Sequence, residues 1–137
     1  MGSDGLKGWT RPLRSIAIID DDFPVLESLQ NLLASFGYRS ETYLSAEDFL
    51  QSDGPSHSDC IVTDVHMPKM NGLELLQRLR NSGCEVPLIV VTGKPSVDPE
   101  NYYLGRGANG FFRKPVDGQA LVTLIDRLLS GHPASPS

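Results

Sequence analysis

A chain of 137 residues, 39% hydrophobic and 21% charged, reads as one globular domain long enough to bury its own core. A net charge of -5 without a basic stripe excludes direct binding to a nucleic-acid backbone. No apolar stretch approaches the roughly 20 residues of a membrane span, and residues 1–14 lack the apolar segment of a signal peptide. Cys60 and Cys84 form no CxxC and read as reduced thiols of a cytoplasmic protein; the three histidines lack metal-ligand spacing.

Residues 1–14, with Trp9, read as a flexible leader, and residues 131–137 as a linker or tail. The domain between them, 15–130, alternates strand and helix. Ile16 to Ile19 is too short for a helix and β-branched enough for a buried strand. Leu26, Leu29, Leu33 and Phe36 then recur at helical spacing until Gly37. Tyr38 to Leu44 is a second strand, and Ser45 caps a helix with Asp48 at its third position. Cys60 to Thr63 is a third strand. Asn71 caps the next helix with Glu74, and Leu73, Leu75, Leu76 and Leu79 form its apolar face. Pro87 to Val91 is a fourth strand. Asp98-Pro99 starts a helix that Gly105 and Gly107 keep short or mobile. Gly110 to Phe112 is the fifth strand, and Asp117 opens a last helix carrying Leu121, Leu124, Ile125, Leu128 and Leu129. Five such units predict an α/β fold, a doubly wound parallel sheet covered on both faces.

In such a sheet the carboxyl ends of the strands share one edge, where ligands bind. The first strand runs into Asp20-Asp21-Asp22, the third into Asp64, the fourth into Thr92 and the fifth into Lys114-Pro115. Any one of these alone is an ordinary turn or solvated residue. Together they bring acids, a hydroxyl and an amine to one place. Adjacent carboxylates repel unless a cation neutralises them, and Mg²⁺ suits an oxygen donor set. A carboxylate can accept a phosphoryl group, with Thr92 and Lys114 neutralising it.

The segments Ile18-Ile19-Asp20-Asp21-Asp22, Val62-Thr63-Asp64-Val65-His66-Met67-Pro68-Lys69-Met70-Asn71-Gly72, Val90-Val91-Thr92-Gly93 and Phe111-Phe112-Arg113-Lys114-Pro115 resemble the receiver domain of two-component response regulators. The resemblance covers roughly residues 14–130. Pro24, the segment Leu44 to Leu50 and Thr92-Gly93 look closest to the branch of LuxR-type regulators that controls nitrogen-fixation transcription. The resemblance implies a flavodoxin-like (βα)5 fold with strand order 2-1-3-4-5. It implies phosphorylation of Asp64 by a sensor histidine kinase or phosphotransfer protein, with Mg²⁺ (or Mn²⁺) as cofactor. Asp20, Asp21, Asp64 and the backbone carbonyl of His66 would serve the metal. Thr92 and Lys114 would contact the phosphoryl oxygens, and the Lys114–Pro115 peptide would be cis. Thr92 and Phe111 would form the switch, with Asp22 a bystander. His66 and Lys94 would flank the phosphoryl group and tune its hydrolysis.

Further implications are a phosphorylation-dependent homodimer through the fourth helix, fifth strand and fifth helix, and an output domain or partner outside this chain. Beyond Mg²⁺-dependent self-phosphorylation and self-dephosphorylation, no enzyme activity is expected. The alternative is a degenerate receiver that docks without being phosphorylated. A flavodoxin-like electron carrier is disfavoured, because three aspartates would repel a flavin phosphate. An aspartate-dependent phosphatase is disfavoured for want of a cap domain. Thr92-Gly93-Lys94-Pro95-Ser96 lacks the spacing of a phosphate-binding loop.

Overall fold

The computed structural model describes residues 14–93 and 100–130. The readings placed on Trp9, Lys94, Asp98-Pro99 and residues 131–137 lie outside them. The strands are β1 (Ser15–Ile19), β2 (Arg39–Tyr43), β3 (Cys60–Asp64), β4 (Leu88–Thr92) and β5 (Gly110–Arg113). They form one parallel sheet in the order β2-β1-β3-β4-β5. Among the described residues the helices are α1 (Phe23–Ser35), α2 (Ala46–Gln51), α3 (Gly54–His57), α4 (Gly72–Asn81), α5 (Glu100–Leu104) and α6 (Gly118–Leu129). None of them is long and apolar enough to cross a membrane.

Strand side chains alternate between two cores, as the two-residue period requires. Ile16, Ile18, Cys60, Val62, Ile89 and Val91 pack with Leu26, Leu29 and Leu33 of α1 and Leu121, Val122 and Ile125 of α6. Ala17, Ile19, Ile61, Leu88 and Val90 face the other way, onto Phe49 of α2, Leu75, Leu76 and Leu79 of α4, and Tyr103 of α5. Each fully buried Leu or Ile contributes about 1.5–3 kcal/mol. This double cover fixes the sheet and its functional edge. Burial pushes the Cys60 thiol up to about 12, so it is an inert core group.

The expected caps form. Ser45 accepts from the Asp48 N–H, Asp117 from the Ala120 N–H, and Asn71 and Glu74 make a reciprocal capping box. Three readings are corrected. Phe36 is not on the buried face of α1: it is the C-cap residue and 45% exposed. Gly37, at φ 88°, turns the chain so that the Tyr38 N–H reaches the Leu33 carbonyl, ending the helical spacing before Phe36. Second, the short helix α3 follows α2, where the sequence carries no amphipathic period. Third, β3, β4 and β5 each end one residue later than expected, so Asp64 and Thr92 are the last residues of buried strands, and β2 is one residue shorter at each end. The described part of α5 is the five residues Glu100–Leu104; the start expected at Asp98-Pro99 lies outside the described residues.

Candidate functional site

The carboxyl edge of the sheet gathers the predicted residues. Asp20 directly follows β1, and Lys114 directly follows β5. Asp20, Asp64 and Thr92 are buried, Asp21 and Asp22 are exposed, and Lys114 is half-buried. Lys114 Nζ donates to Asp20 Oδ2 at 2.9 Å and lies 3.7 Å from Asp64 Oδ1. The backbone N–H of Asp22 donates to Asp20 Oδ1 at 2.9 Å. Asp22 therefore orients Asp20 through its main chain, while its side chain makes no cap bond for α1.

Asp20, Asp21 and Asp64 each present an oxygen within 4.8 Å of the other two. Asp64 Oδ1 is buried and, among the described residues, has no hydrogen-bond partner. A buried carboxylate oxygen left so is costly unless a cation or ligand group meets it. The donors are all hard oxygens, which fits Mg²⁺ or Mn²⁺ and not a soft metal. Burial pushes the Asp64 carboxyl up to about 6, with the Asp20 charge adding to the rise. The Lys114 charge and the His66 backbone N–H oppose it, and Asp21 adds a smaller upward push. Burial works to lower Lys114, but its hydrogen bond to Asp20 and the charges of Asp20, Asp64 and Asp22 outweigh burial and raise it.

Asp64 owes its position to the loop that follows. Met67-Pro68 breaks direction, Lys69 takes a left-handed φ of 66°, and the Gly72 N–H returns to the Val65 carbonyl at 2.9 Å. Glu47 of α2 accepts from the Met70 N–H and braces the loop; it lies in the Leu44 to Leu50 segment, but no local pattern pointed to this contact. His66 is half-buried, and its Nε2 is buried without a hydrogen-bond partner among the described residues. The Lys114–Pro115 peptide is cis, and the Lys114 N–H donates to the Thr92 carbonyl at 2.8 Å. Phe111 is half-buried opposite Val90, two residues before the Thr92–Arg113 pair. It stacks on Tyr103 rather than standing alone, a partner the sequence did not reveal.

Lys114→Ala leaves two close carboxylates without their cation. Folding free energy at neutral pH is expected to fall by about 1–2 kcal/mol, the half-buried lysine being partly screened. Urea unfolding across pH 4.5–7.5, which brackets the Asp64 midpoint of about 6, checks this. The loss should shrink as Asp64 takes up a proton, and a loss independent of pH would count against the electrostatic cause.

Comparison with known proteins identifies the family of the chain. Residues 16–126 match the family model described as response regulator receiver domain. The chain is 40% identical over 110 residues to the transcriptional regulatory protein FixJ of Azorhizobium caulinodans, covering 80% of this chain and 52% of that protein. It is 33% identical over 133 residues to the response regulator protein TodT of Pseudomonas putida, covering 97% of this chain and 59% of that protein. The chain thus spans little more than half the length of these curated relatives. Among solved structures, FixJ-N superposes with a TM-score of 0.78 at 31% identity, covering 91% of this chain and all of that one. A receiver domain protein from Clostridium thermocellum gives 0.80 at 28% identity, covering 86% and 95%. With its sheet order, its acidic edge and a family match over most of its length, the chain belongs to the response regulator receiver domain family.

Proposed function

We propose that this domain is a phosphorylation-dependent switch whose acceptor is Asp64. The observation that supports this best is the buried Oδ1 of Asp64, which among the described residues accepts no hydrogen bond and lies near two further carboxylates and the Lys114 ammonium. In the proposed step an Asp64 oxygen forms a bond to phosphorus as the phosphorus–nitrogen bond of a phosphohistidine breaks. The imidazole nitrogen leaves with the electron pair and takes up a proton. Thr92 and Lys114 bind the phosphoryl oxygens, and Lys114 exchanges part of its pairing with Asp20 for the new charge. Asp20, Asp21, Asp64 and the His66 carbonyl would hold Mg²⁺ (or Mn²⁺), which when bound neutralises developing charge on the phosphoryl group.

The added charge of about -1.5 to -2 would draw Thr92 toward it and let Phe111 turn inward, altering the α5–β5–α6 face. The phosphodonor would be a sensor histidine kinase or phosphotransfer protein in the cytoplasm. The output would be an attached domain or a partner, and a transcriptional output is favoured by FixJ among the relatives. The altered face would support a homodimer. Neither nucleic acid nor membrane is a partner of this domain in this reading.

Incubation with acetyl phosphate and Mg²⁺, followed by intact mass and light scattering, tests the proposal. One phosphoryl addition per chain is expected, abolished by EDTA and by Asp21→Ala, with self-association of the modified form. No addition and no thermal shift with Mg²⁺ would leave a degenerate receiver that acts by docking alone.

A further inference from the structure

Phe111 does not contact solvent and core alone. Its ring lies on that of Tyr103, with centroids 5.4 Å apart and planes at 21°. Tyr103 is 2% exposed, and Tyr102 meets it edge-on at 5.3 Å. Arg106 lies over the outer face of this group, 3.8 Å from the Tyr102 centroid, and Arg113 lies 5.2 Å from that of Phe111. The far end of the segment is fastened separately. The Arg80 guanidinium donates to the carbonyls of Cys84 and Val86 at 2.9 Å, to the Gly107 carbonyl at 3.1 Å, and to Asn109 Oδ1 at 3.2 Å.

A close-packed interior does not leave a void where a ring has been. If Phe111 turns toward Thr92, Tyr103 loses the face it rests on. It must follow Phe111 or hold it back. Tyr103 belongs to α5, and the turn after α5 is pinned by Arg80, so any following motion falls on the helix. We infer that Tyr103 is the mechanical link between Phe111 and α5, converting rotation of one side chain into displacement of a helix. This rests on the phosphoacceptor reading for what drives Phe111, but the coupling of the two rings is a property of the unmodified domain.

Amide hydrogen exchange by NMR tests it in two arms. In the unmodified protein, the N–H groups of Arg106, Gly107 and Ala108 donate back to Tyr103 and Leu104. Phe111→Leu and Tyr103→Leu should each speed their exchange about two- to tenfold, the range of an aromatic pair, while the Leu121 amide in α6 is unchanged. The double variant should be no faster than the faster single one, and Tyr103→Phe should match the parent. Unchanged exchange in Phe111→Leu, or multiplicative effects in the double variant, would overturn the link, whether or not the protein takes a phosphoryl group. In the second arm, beryllofluoride with Mg²⁺ should shift these three amides in the parent and not in Tyr103→Leu, although Tyr103→Leu still gains mass from acetyl phosphate. Equal shifts in both would also overturn it. Absence of modification in the parent would sink the phosphoacceptor reading alone, since the first arm stands without it.

Discussion

Asp64→Asn is expected to give a protein that takes no phosphoryl group yet unfolds at a higher temperature than the parent. The first effect follows from losing the nucleophile, because an amide oxygen does not form the acyl phosphate. The second follows from burial. The folded carboxyl sits at about 6 against an ordinary 3.8. The folded state therefore holds its proton to higher pH than the unfolded chain does. Stability is lost as pH rises from about 4 to 6, and the full cost, on the order of 2–3 kcal/mol, is present above 6. Asparagine carries no charge at any of these values and can donate toward Asp20. In EDTA near pH 7.5, a gain of about 5–10 °C in Tm is expected, shrinking to about a third of that near pH 4.5. A gain of the same size at both values would mean that the buried charge of Asp64 is not its source. Mg²⁺ should narrow the difference at pH 7.5, because it compensates the same buried negative charge in the parent.

Gly72→Ala should be the most damaging single methyl group in the domain. A Cβ at Gly72 would strike the Asp64 carbonyl oxygen and come within 3.1 Å of Val65 Cα, both backbone atoms of the strand end. Neither can move aside without displacing Asp64 or lifting the start of α4. A cost of about 1–3 kcal/mol is expected from overpacking against rigid backbone. A misplacement approaching 1 Å would slow the acetyl phosphate reaction by up to about 100-fold. Gly37→Ala is the useful contrast. Gly37 has a left-handed φ of 88° but nothing within 4 Å of its added Cβ. It should lose about 1 kcal/mol to backbone conformation and leave the reaction rate unchanged. Urea unfolding and single-exponential modification rates for both variants check this. Equal rates for Gly72→Ala and the parent would show that the strand end yields without moving the carboxylate.

Much of the framework follows from local chemistry. The apolar runs at β1, β3 and β4 are short and β-branched, and the caps at Ser45, Asn71 and Asp117 rest on residues three apart, so both can be read from a few neighbouring letters. Local spacing misleads where a neighbouring residue or a tertiary contact overrides it. Phe36 continues the spacing of Leu26, Leu29 and Leu33, but a glycine one residue later had already ended the helix. α3, with Gly54-Pro55 at its start and a single turn, has too few residues to carry a period. β2 reads Arg-Ser-Glu-Thr-Tyr and is an edge strand, so it lacks the apolar run of the central ones.

The sequence by itself determined the inventory: the order of the five strands and of the helices other than α3, and Asp20, Asp21, Asp64, Thr92 and Lys114 at strand ends. It did so because strand period, capping and turn chemistry act over a few residues. Only the tertiary structure decided how those residues act on one another. Lys114 bonds Asp20 across 94 positions of chain, Asp64 is lifted to about 6 by burial, and Tyr103 lies on Phe111. Distance and desolvation set each of these, and both arise only once helices close over the two faces of the sheet.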